Sequence, residues 1–184
     1  HDALEIWQDV KYLISKTIKK NKLKSFQILS IGITNQRETT ILWNKKTGKP
    51  VNKAIVWQDR RTSKYCAELK KTKKDILIQK ITGLILDPYF SATKIKWILE
   101  NNNKKKIIRD NNLLFGTVDS WLLWNLTEGK SHLTDITNAS RTMIYDSKKE
   151  EWSNTLLKLF EIPKMILPTV VENSFDFGTT NLFG

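Results

Sequence analysis

The spacing of apolar residues alternates along the chain between a helical period and short continuous runs. Six stretches with helical spacing predict helices, over residues 2–20, 62–73, 75–81, from 91 onward, 120–127 and 152–160. Five short apolar runs predict strands, at residues 26–33, 39–43, 54–57, 113–116 and 142–145. Because strands alternate with helices and residues 39–57 form one hairpin, the pattern predicts an α/β fold with a mixed sheet and flanking helices. Residues 101–112 are predicted to be a polar connection anchored by Ile107 and Ile108.

The strand predicted over Phe26 to Ile33 leads into a polar cluster that contains Arg37 and Glu38. A buried strand whose carboxyl end carries charged side chains is a common place for a ligand site in an α/β sheet. Arginine offers a rigid set of donors and glutamate a pair of acceptor oxygens, which suits a small polyhydroxylated ligand. An ordinary surface ion pair between the same two residues is the alternative, and the local pattern favours neither.

Composition and charge narrow the range of partners. Apolar residues make up 40% of the chain and seven residues are Trp, which is enough for a packed core. The formal charge is +12, but the lysines lie in dispersed short runs without a nucleic-acid motif, so we expect no nucleic-acid partner. No stretch approaches the roughly 20 apolar residues of a membrane span. The single cysteine, Cys66, predicts neither a disulfide nor a metal cluster and indicates a reducing, cytoplasmic compartment.

Two aromatic residues are further candidates for a site. Trp57 ends the predicted hairpin in a polar cluster, and Tyr89 follows a proline turn. Loops at such positions carry function in many proteins, but Trp57 is equally expected as a core ring and Tyr89 as packing for the turn. His132 is expected at the surface and Cys66 as a small packing residue, and neither belongs to a catalytic pattern. The chain has no glycine-rich phosphate loop.

Several sequence blocks resemble one enzyme family. Residues 89–101, Tyr-Phe-Ser-Ala-Thr-Lys-Ile-Lys-Trp-Ile-Leu-Glu-Asn, match the first signature of the FGGY carbohydrate kinases. Further matching blocks lie at residues 32–40 (Gly-Ile-Thr-Asn-Gln-Arg-Glu-Thr-Thr), 54–62 (Ala-Ile-Val-Trp-Gln-Asp-Arg-Arg-Thr), 82–90 and 134–142. Together they extend the resemblance through the whole chain, and they are most similar to the members of the family that phosphorylate glycerol.

The resemblance implies a partial ribonuclease H-like domain of the actin and hexokinase type. In this family glycerol lies between two lobes and receives the γ-phosphoryl group of ATP with Mg²⁺. The resemblance implies that Arg37 and Glu38 hydrogen-bond adjacent glycerol hydroxyls. It also implies that Tyr89 contacts a further hydroxyl and that Trp57 covers the carbon skeleton. Such a pocket rejects analogues that lack a hydroxyl, because its own polar groups are then left unpaired.

The chain departs from the family at both ends. The phosphate loop is expected before His1, and the catalytic base and the nucleotide-binding lobe are expected beyond Gly184. Residues 1–184 are therefore expected to be an incomplete N-terminal domain, with a tail from about Asn173 that is an interrupted loop. No catalytic, cofactor-binding or metal-binding residue is assigned. Since phosphoryl transfer needs positioning, metal and electrostatics together, the chain alone is predicted to be inactive. The parent enzyme would contain the missing C-terminal lobe and could form a homo-oligomer.

Two other functions remain open: an FGGY kinase for another sugar or polyol, and a non-catalytic interaction module. The block at residues 32–40 argues against the first, since larger sugars need a differently lined pocket. Ser140 and Arg141 are family features that could shape the cleft, whereas Asp119 is first expected to cap the helix that follows it. An unpaired strand edge over residues 26–33 predicts poor solubility.

Overall fold

The computed structural model describes residues 1–102 and 112–184. The described residues form seven α-helices: α1 (Ala3–Lys20), α2 (Ser63–Lys71), α3 (Lys74–Thr82), α4 (Ser91–Asn101), α5 (Val118–Leu126), α6 (Ile136–Ala139) and α7 (Asn154–Phe160). All six predicted helices are confirmed, with ends that differ by a few residues. The predicted connection anchored by Ile107 and Ile108 lies almost entirely outside the described residues.

Local sequence determines where several helices begin and end. α1 begins after Asp2, whose Oδ1 accepts a hydrogen bond from the Leu4 N–H at 2.9 Å and so caps the first turn. α3 ends at Gly83, which has a left-handed φ of 74° that glycine adopts at little cost. α7 begins after Ser153, whose hydroxyl accepts from the Leu156 N–H at 3.4 Å.

The strands of the described residues form three two-stranded sheets. They are β1 (Ile41–Asn44), β2 (Leu113–Gly116), β3 (Leu133–Asp135), β4 (Tyr145–Asp146), β5 (Glu151–Trp152) and β6 (Thr169–Val171). β1 pairs with β2 and β4 with β5 in antiparallel fashion, whereas β3 and β6 are parallel. Parallel and antiparallel pairs therefore both occur, as the mixed α/β prediction requires, but they lie in separate small sheets.

The strand predicted over residues 26–33 is wrong. Ser25–Gln27 form a 3₁₀ turn, and residues 28–36 have no regular structure. A strand needs a neighbour for its backbone hydrogen bonds, and no described strand pairs with this segment. The segment instead borders an apolar groove of about 540 Å³, together with α1 and residues 178–184. Leu29 is 95% exposed beside this groove, so the segment exposes apolar surface although it forms no strand.

Bridges between Thr40 and Ile55 and between Trp43 and Pro50 confirm the hairpin predicted over residues 39–57. The strand predicted over residues 54–57 is wrong, because Ile55 alone makes a bridge there. The first strand of the hairpin, β1, pairs over a longer stretch with β2, from Ile41 opposite Gly116 to Asn44 opposite Leu113. The strand predicted over 142–145 is shorter than expected and begins only at Tyr145. The tail from Asn173 has no helix or strand.

Two apolar clusters form the core. One brings α4 and α7 together with β2, and contains the buried Cys66, which confirms the prediction that this thiol is a packing residue. Burial raises the pKa of Cys66 to about 11. The other cluster packs Trp7 of α1, Trp43 of β1 and Trp121 of α5, and the last two rings lie 5.3 Å apart. None of the described helices has the length and apolar character needed to cross a membrane.

His132, which was predicted to lie at the surface, is half-buried. Its ring packs edge-on against Trp43 and Trp124, with centroid distances of 5.5 and 6.2 Å. Its Nε2 is 2.8 Å from the carbonyl oxygen of Phe115, so this nitrogen carries the hydrogen and donates the hydrogen bond. Burial lowers the pKa of His132 to about 4, and the ring is neutral at pH 7.

Candidate functional site

Glu38 is the buried centre of the candidate site. It is 6% exposed, and its Oε1 accepts a hydrogen bond of 2.6 Å from Nε of Arg141, which lies 103 residues further along the chain. The alternative of a surface ion pair between Arg37 and Glu38 is therefore wrong. The second oxygen, Oε2, has no hydrogen-bond donor in the described part of the chain and can accept a hydrogen bond from a ligand hydroxyl.

Arg37 lies on the exposed side of the same cluster. One of its terminal nitrogens, Nη1, donates to the carbonyl oxygen of Thr137 over 3.5 Å. This contact is long, so the guanidinium keeps most of its hydrogen-bonding capacity for another partner. Ser140 donates to the same carbonyl at 3.1 Å and so fixes the turn that Arg37 contacts.

Tyr89 and Trp57 form the aromatic side of the cluster. Their ring centroids are 5.8 Å apart and their planes are inclined by 60°. Trp57 is 39% exposed, so the alternative of a core ring is wrong. The guanidinium of Arg141 lies 5.6 Å from the Tyr89 ring centroid and 4.9 Å from that of Phe90, within the range of a cation–π contact. Arg141 thus joins the carboxylate of Glu38 to the aromatic side.

Lys94 links the Glu38 side of the cluster to the Tyr89 side. It belongs to α4 and is completely buried. Its ammonium group donates to the backbone carbonyl of Glu38 at 2.8 Å and to that of Tyr89 at 2.7 Å. Burial lowers the pKa of Lys94 to about 8, and the nearby charges of Glu38, Asp59 and Asp87 partly oppose that shift.

Asp119 anchors the loops next to the cluster. The prediction that it caps a helix is wrong, because α5 begins at Val118 and Asp119 lies inside its first turn. Its carboxylate accepts from the hydroxyls of Thr117 and Thr134, and from Nδ2 of Asn35 over 3.4 Å. Asn35 also donates to Oδ1 of Asn138 at 3.0 Å. Burial raises the pKa of Asp119. The network ties the segment before Arg37 to the loop that carries Arg141.

The described residues do not fit a metal or a nucleotide. Within residues 1–102 and 112–184, no three His, Cys, Asp or Glu side chains lie together as metal ligands. The sequence also lacks a glycine-rich loop that could surround phosphates. What the cluster offers is one carboxylate, two guanidinium groups and two aromatic rings. That set suits a small neutral molecule with several hydroxyl groups.

The structure places three of the four predicted site residues in one connected cluster: Glu38, Trp57 and Tyr89. Arg37 precedes Glu38 in the chain and contacts the backbone carbonyl of Thr137.

The sequence did not predict the role of Lys94, because a lysine on an amphipathic helix is normally solvated. A weak signal existed, since helical spacing puts either Lys94 or Trp97 on the inward face with Ile95. Arg141 belonged to a resembling block, but its pairing with Glu38 needs the fold.

Comparison with known proteins finds relatives of one enzyme family. Residues 1–182 match the N-terminal domain of the FGGY family of carbohydrate kinases. The chain is 52% identical over 182 residues to a glycerol kinase of Malacoplasma penetrans (strain HF-2), covering 98% of this chain and 36% of that protein. It is 51% identical over 187 residues to glycerol kinase 1 of Clostridium tetani (strain Massachusetts / E88), covering 100% of this chain and 38% of the relative. The chain thus spans little more than a third of the length of these relatives.

Solved structures agree with this grouping. The crystal structure of Plasmodium falciparum glycerol kinase with ADP superposes with a TM-score of 0.91 at 39% identity, over 100% of this chain and 37% of that one. A xylulose kinase from Lactobacillus acidophilus superposes with a TM-score of 0.73 at 20% identity, over 92% of this chain and 33% of that one, which shows a shared fold alone. The predicted α/β fold of the actin and hexokinase type is confirmed. With the family match covering nearly every residue, the chain belongs to the FGGY family of carbohydrate kinases.

Proposed function

We propose that this chain forms the glycerol-binding side of a glycerol kinase, an enzyme that transfers the γ-phosphoryl group of ATP to glycerol and forms sn-glycerol 3-phosphate. The observation that carries the proposal is the buried Glu38 carboxylate, paired with Arg141 at 2.6 Å beside the rings of Tyr89 and Trp57. Relatives that are about 50% identical and named glycerol kinases support the same substrate.

The arrangement accounts for recognition of a triol. The Oε2 atom of Glu38 accepts a hydrogen bond from one glycerol hydroxyl, and Arg37 donates a hydrogen bond to the neighbouring hydroxyl. The Tyr89 hydroxyl exchanges a hydrogen bond with a further hydroxyl, and the partly exposed Trp57 ring covers the C–H edge of the ligand. An analogue that lacks one hydroxyl leaves a polar group of this pocket unpaired, which lowers its affinity.

The nucleotide chemistry belongs to other parts of the enzyme in this proposal. The kinase family uses ATP, and the Plasmodium falciparum relative was crystallised with ADP. We assign no residue of this chain to ATP, to Mg²⁺ or to the catalytic base. Residues 1–184 act as an incomplete N-terminal domain that works with a C-terminal lobe, in a cytoplasmic enzyme that can assemble as a homo-oligomer.

Glycerol titration of the 184-residue chain tests the binding claim. Calorimetry or NMR should detect glycerol binding by the wild type, and Arg37→Ala should weaken it about tenfold, since one charge-assisted hydrogen bond is lost. Lys148→Ala removes an exposed charge from the turn between β4 and β5 and serves as the matched control. Equal affinity of the wild type and Arg37→Ala would remove Arg37 from the pocket, and absence of binding by the wild type would overturn the proposal for this chain.

An activity assay separates the remaining alternatives. The purified chain should form no glycerol 3-phosphate from glycerol, ATP and Mg²⁺, whereas a longer protein that includes it should do so. A substrate screen on that longer protein should favour glycerol over xylulose and gluconate. A preference for a sugar would replace glycerol as the substrate. Turnover by the 184-residue chain would refute the assignment of the reacting groups to other parts of the enzyme.

A further inference from the structure

Lys94 is the one fully buried lysine among the described residues, and the proposed contacts with glycerol do not use it. Lysine side chains almost never lie completely out of water without a partner. In the middle of an apolar helix face, a methionine of similar length would fill the same space without a desolvation cost. The position of this ammonium group therefore points to a task that packing alone does not require.

The contacts of Lys94 show what that task is. Its two close hydrogen bonds go to backbone carbonyls, at Glu38 and at Tyr89, which are 56 and 5 residues away in the chain. These two residues supply the carboxylate and the phenol of the candidate pocket, from opposite sides. One ammonium group on the rigid helix α4 thus holds both backbones at hydrogen-bonding distance.

We propose that Lys94 is a positioning residue that sets the separation between the Glu38 side and the Tyr89 side of the glycerol pocket. The inference rests on the proposed glycerol site, and Lys94 itself does not touch the ligand. Without its donors, the two carbonyls lose their common anchor, and the carboxylate and the phenol no longer stand at the spacing of the glycerol hydroxyls. The effect is a loss of affinity in a chain that is still folded.

Paired lysine variants test this role. Lys94→Met keeps the length and removes the donors, and we expect it to weaken glycerol binding by the folded chain at least about tenfold. Lys96→Met is the matched control on the same helix, because its ammonium pairs with Glu100 at 2.8 Å and Glu161 at 2.9 Å and contacts neither half of the pocket. The control should lose stability in urea but keep its glycerol affinity. Unchanged affinity in Lys94→Met would overturn the inference, whereas absence of binding by the wild type would overturn the proposed function itself.

Chemical rescue separates the ammonium from the packing. In a Cys66→Ala background, Lys94→Cys is alkylated with 2-bromoethylamine in denaturant and refolded, which rebuilds a lysine-like side chain with sulfur in place of one methylene. We expect the aminoethylated chain to recover glycerol affinity to within about threefold of its Cys66→Ala parent, and the product of alkylation with bromoethane to stay weak. Equal affinity of the two alkylated chains would contradict the inference.

A measurement on the unmodified chain covers the case in which the variants do not fold. The carboxylates that act on Lys94 are those of Glu38, Asp59 and Asp87. When pH rises through about 8, the ¹³Cε resonance of Lys94 should titrate, and the carbonyl ¹³C resonances of Glu38 and Tyr89 should follow with the same midpoint. Carbonyl resonances that stay constant while Lys94 titrates would show that the lysine does not hold them.

Discussion

Glu38 and Arg141 are opposite charges that lie mostly out of water, with side chains 7% and 27% exposed. At such a place the cost of removing one partner exceeds the net value of the pair, because the other charge is left without compensation. The two residues therefore depend on each other for stability, apart from the proposed role in glycerol binding. This dependence can be measured separately from glycerol.

A double-mutant cycle on this pair gives the first prediction. We expect Glu38→Gln and Arg141→Met to show a coupling free energy of about 2 kcal/mol in urea unfolding followed by Trp fluorescence. The pair of Asp59 and Arg61 is more exposed, with side chains 21% and 39% exposed, and is the comparison that should couple by less than about 1 kcal/mol. Similar coupling in both cycles would mean that burial adds nothing at Glu38.

His132 gives a prediction on acid stability. Its pKa is about 4 in the folded chain and near its ordinary value of 6.5 after unfolding, so the unfolded chain binds more protons between these values. The free energy of unfolding therefore rises with pH through this window, and His132 accounts for a loss of at most about 3 kcal/mol when the pH falls from 7 to 4. Urea unfolding at several pH values should show a flatter profile for His132→Phe, and an unchanged one for the terminal variant His1→Gln. If His132→Phe keeps the wild-type profile, the imidazole titrates normally in the fold.

At the level of secondary-structure elements, the end of β2 lies close against the first turn of α5 at Gly116. A Cβ atom there would lie 2.6 Å from Cβ of Ser120 and 2.9 Å from Cη2 of Trp43. Such distances force the backbone or the indole to move. The absence of a side chain at this position is thus what lets the end of β2 lie against the first turn of α5.

We predict that Gly116→Ala lowers the free energy of unfolding by about 1–3 kcal/mol, the usual cost of overpacking a close-packed site. Gly32→Ala is the matched control, since a Cβ at Gly32 meets nothing within 4 Å. Thermal or urea unfolding of the two variants gives the comparison. Equal stability of Gly116→Ala and Gly32→Ala would show that β2 and α5 can separate without cost.

Element by element, the sequence predicts what is local. Helical spacing places α1 and α4 well, and a cap at Asp2 helps to place α1, because those signals act within one or two turns of the chain. The apolar run at residues 26–33 does not determine a strand, since strand formation depends on a distant partner that the run does not encode. The same limit applies to the site. Resemblance finds Glu38 and Tyr89, but only the fold shows Arg141 and Lys94 beside them.

For the molecule as a whole, the apolar groove beside residues 28–33 is the surface at which we most expect self-association. Leu29 and Phe26 are 95% and 80% exposed, on a segment whose backbone pairs with no described strand. Unpaired extended backbone with apolar side chains is a template for self-association. Net charge opposes this tendency, because the chain carries +12, but screening by salt weakens that protection.

We therefore expect the chain to aggregate as salt concentration rises, and Leu29→Glu to reduce light scattering severalfold. Ile85→Glu is the matched control, because Ile85 is 64% exposed and does not border the groove. Both variants add one negative charge at an exposed position, so a difference between them reports the groove. Equal scattering by the two variants would assign the effect to net charge.

The two hydrogen bonds of Lys94, to the Glu38 and Tyr89 carbonyls, also have a consequence for the order of folding. Its bond to the Glu38 carbonyl closes a loop of 56 residues, whereas its bond to the Tyr89 carbonyl spans only 5. Closing the longer loop costs more chain entropy, and this entropy is lost before the contact contributes any stabilisation. The Tyr89 side should thus be assembled with α4 early, and the Glu38 side should join it after the folding barrier. The spacing between the Glu38 side and the Tyr89 side would then be among the last features that this chain acquires as it folds, and among the first that it loses.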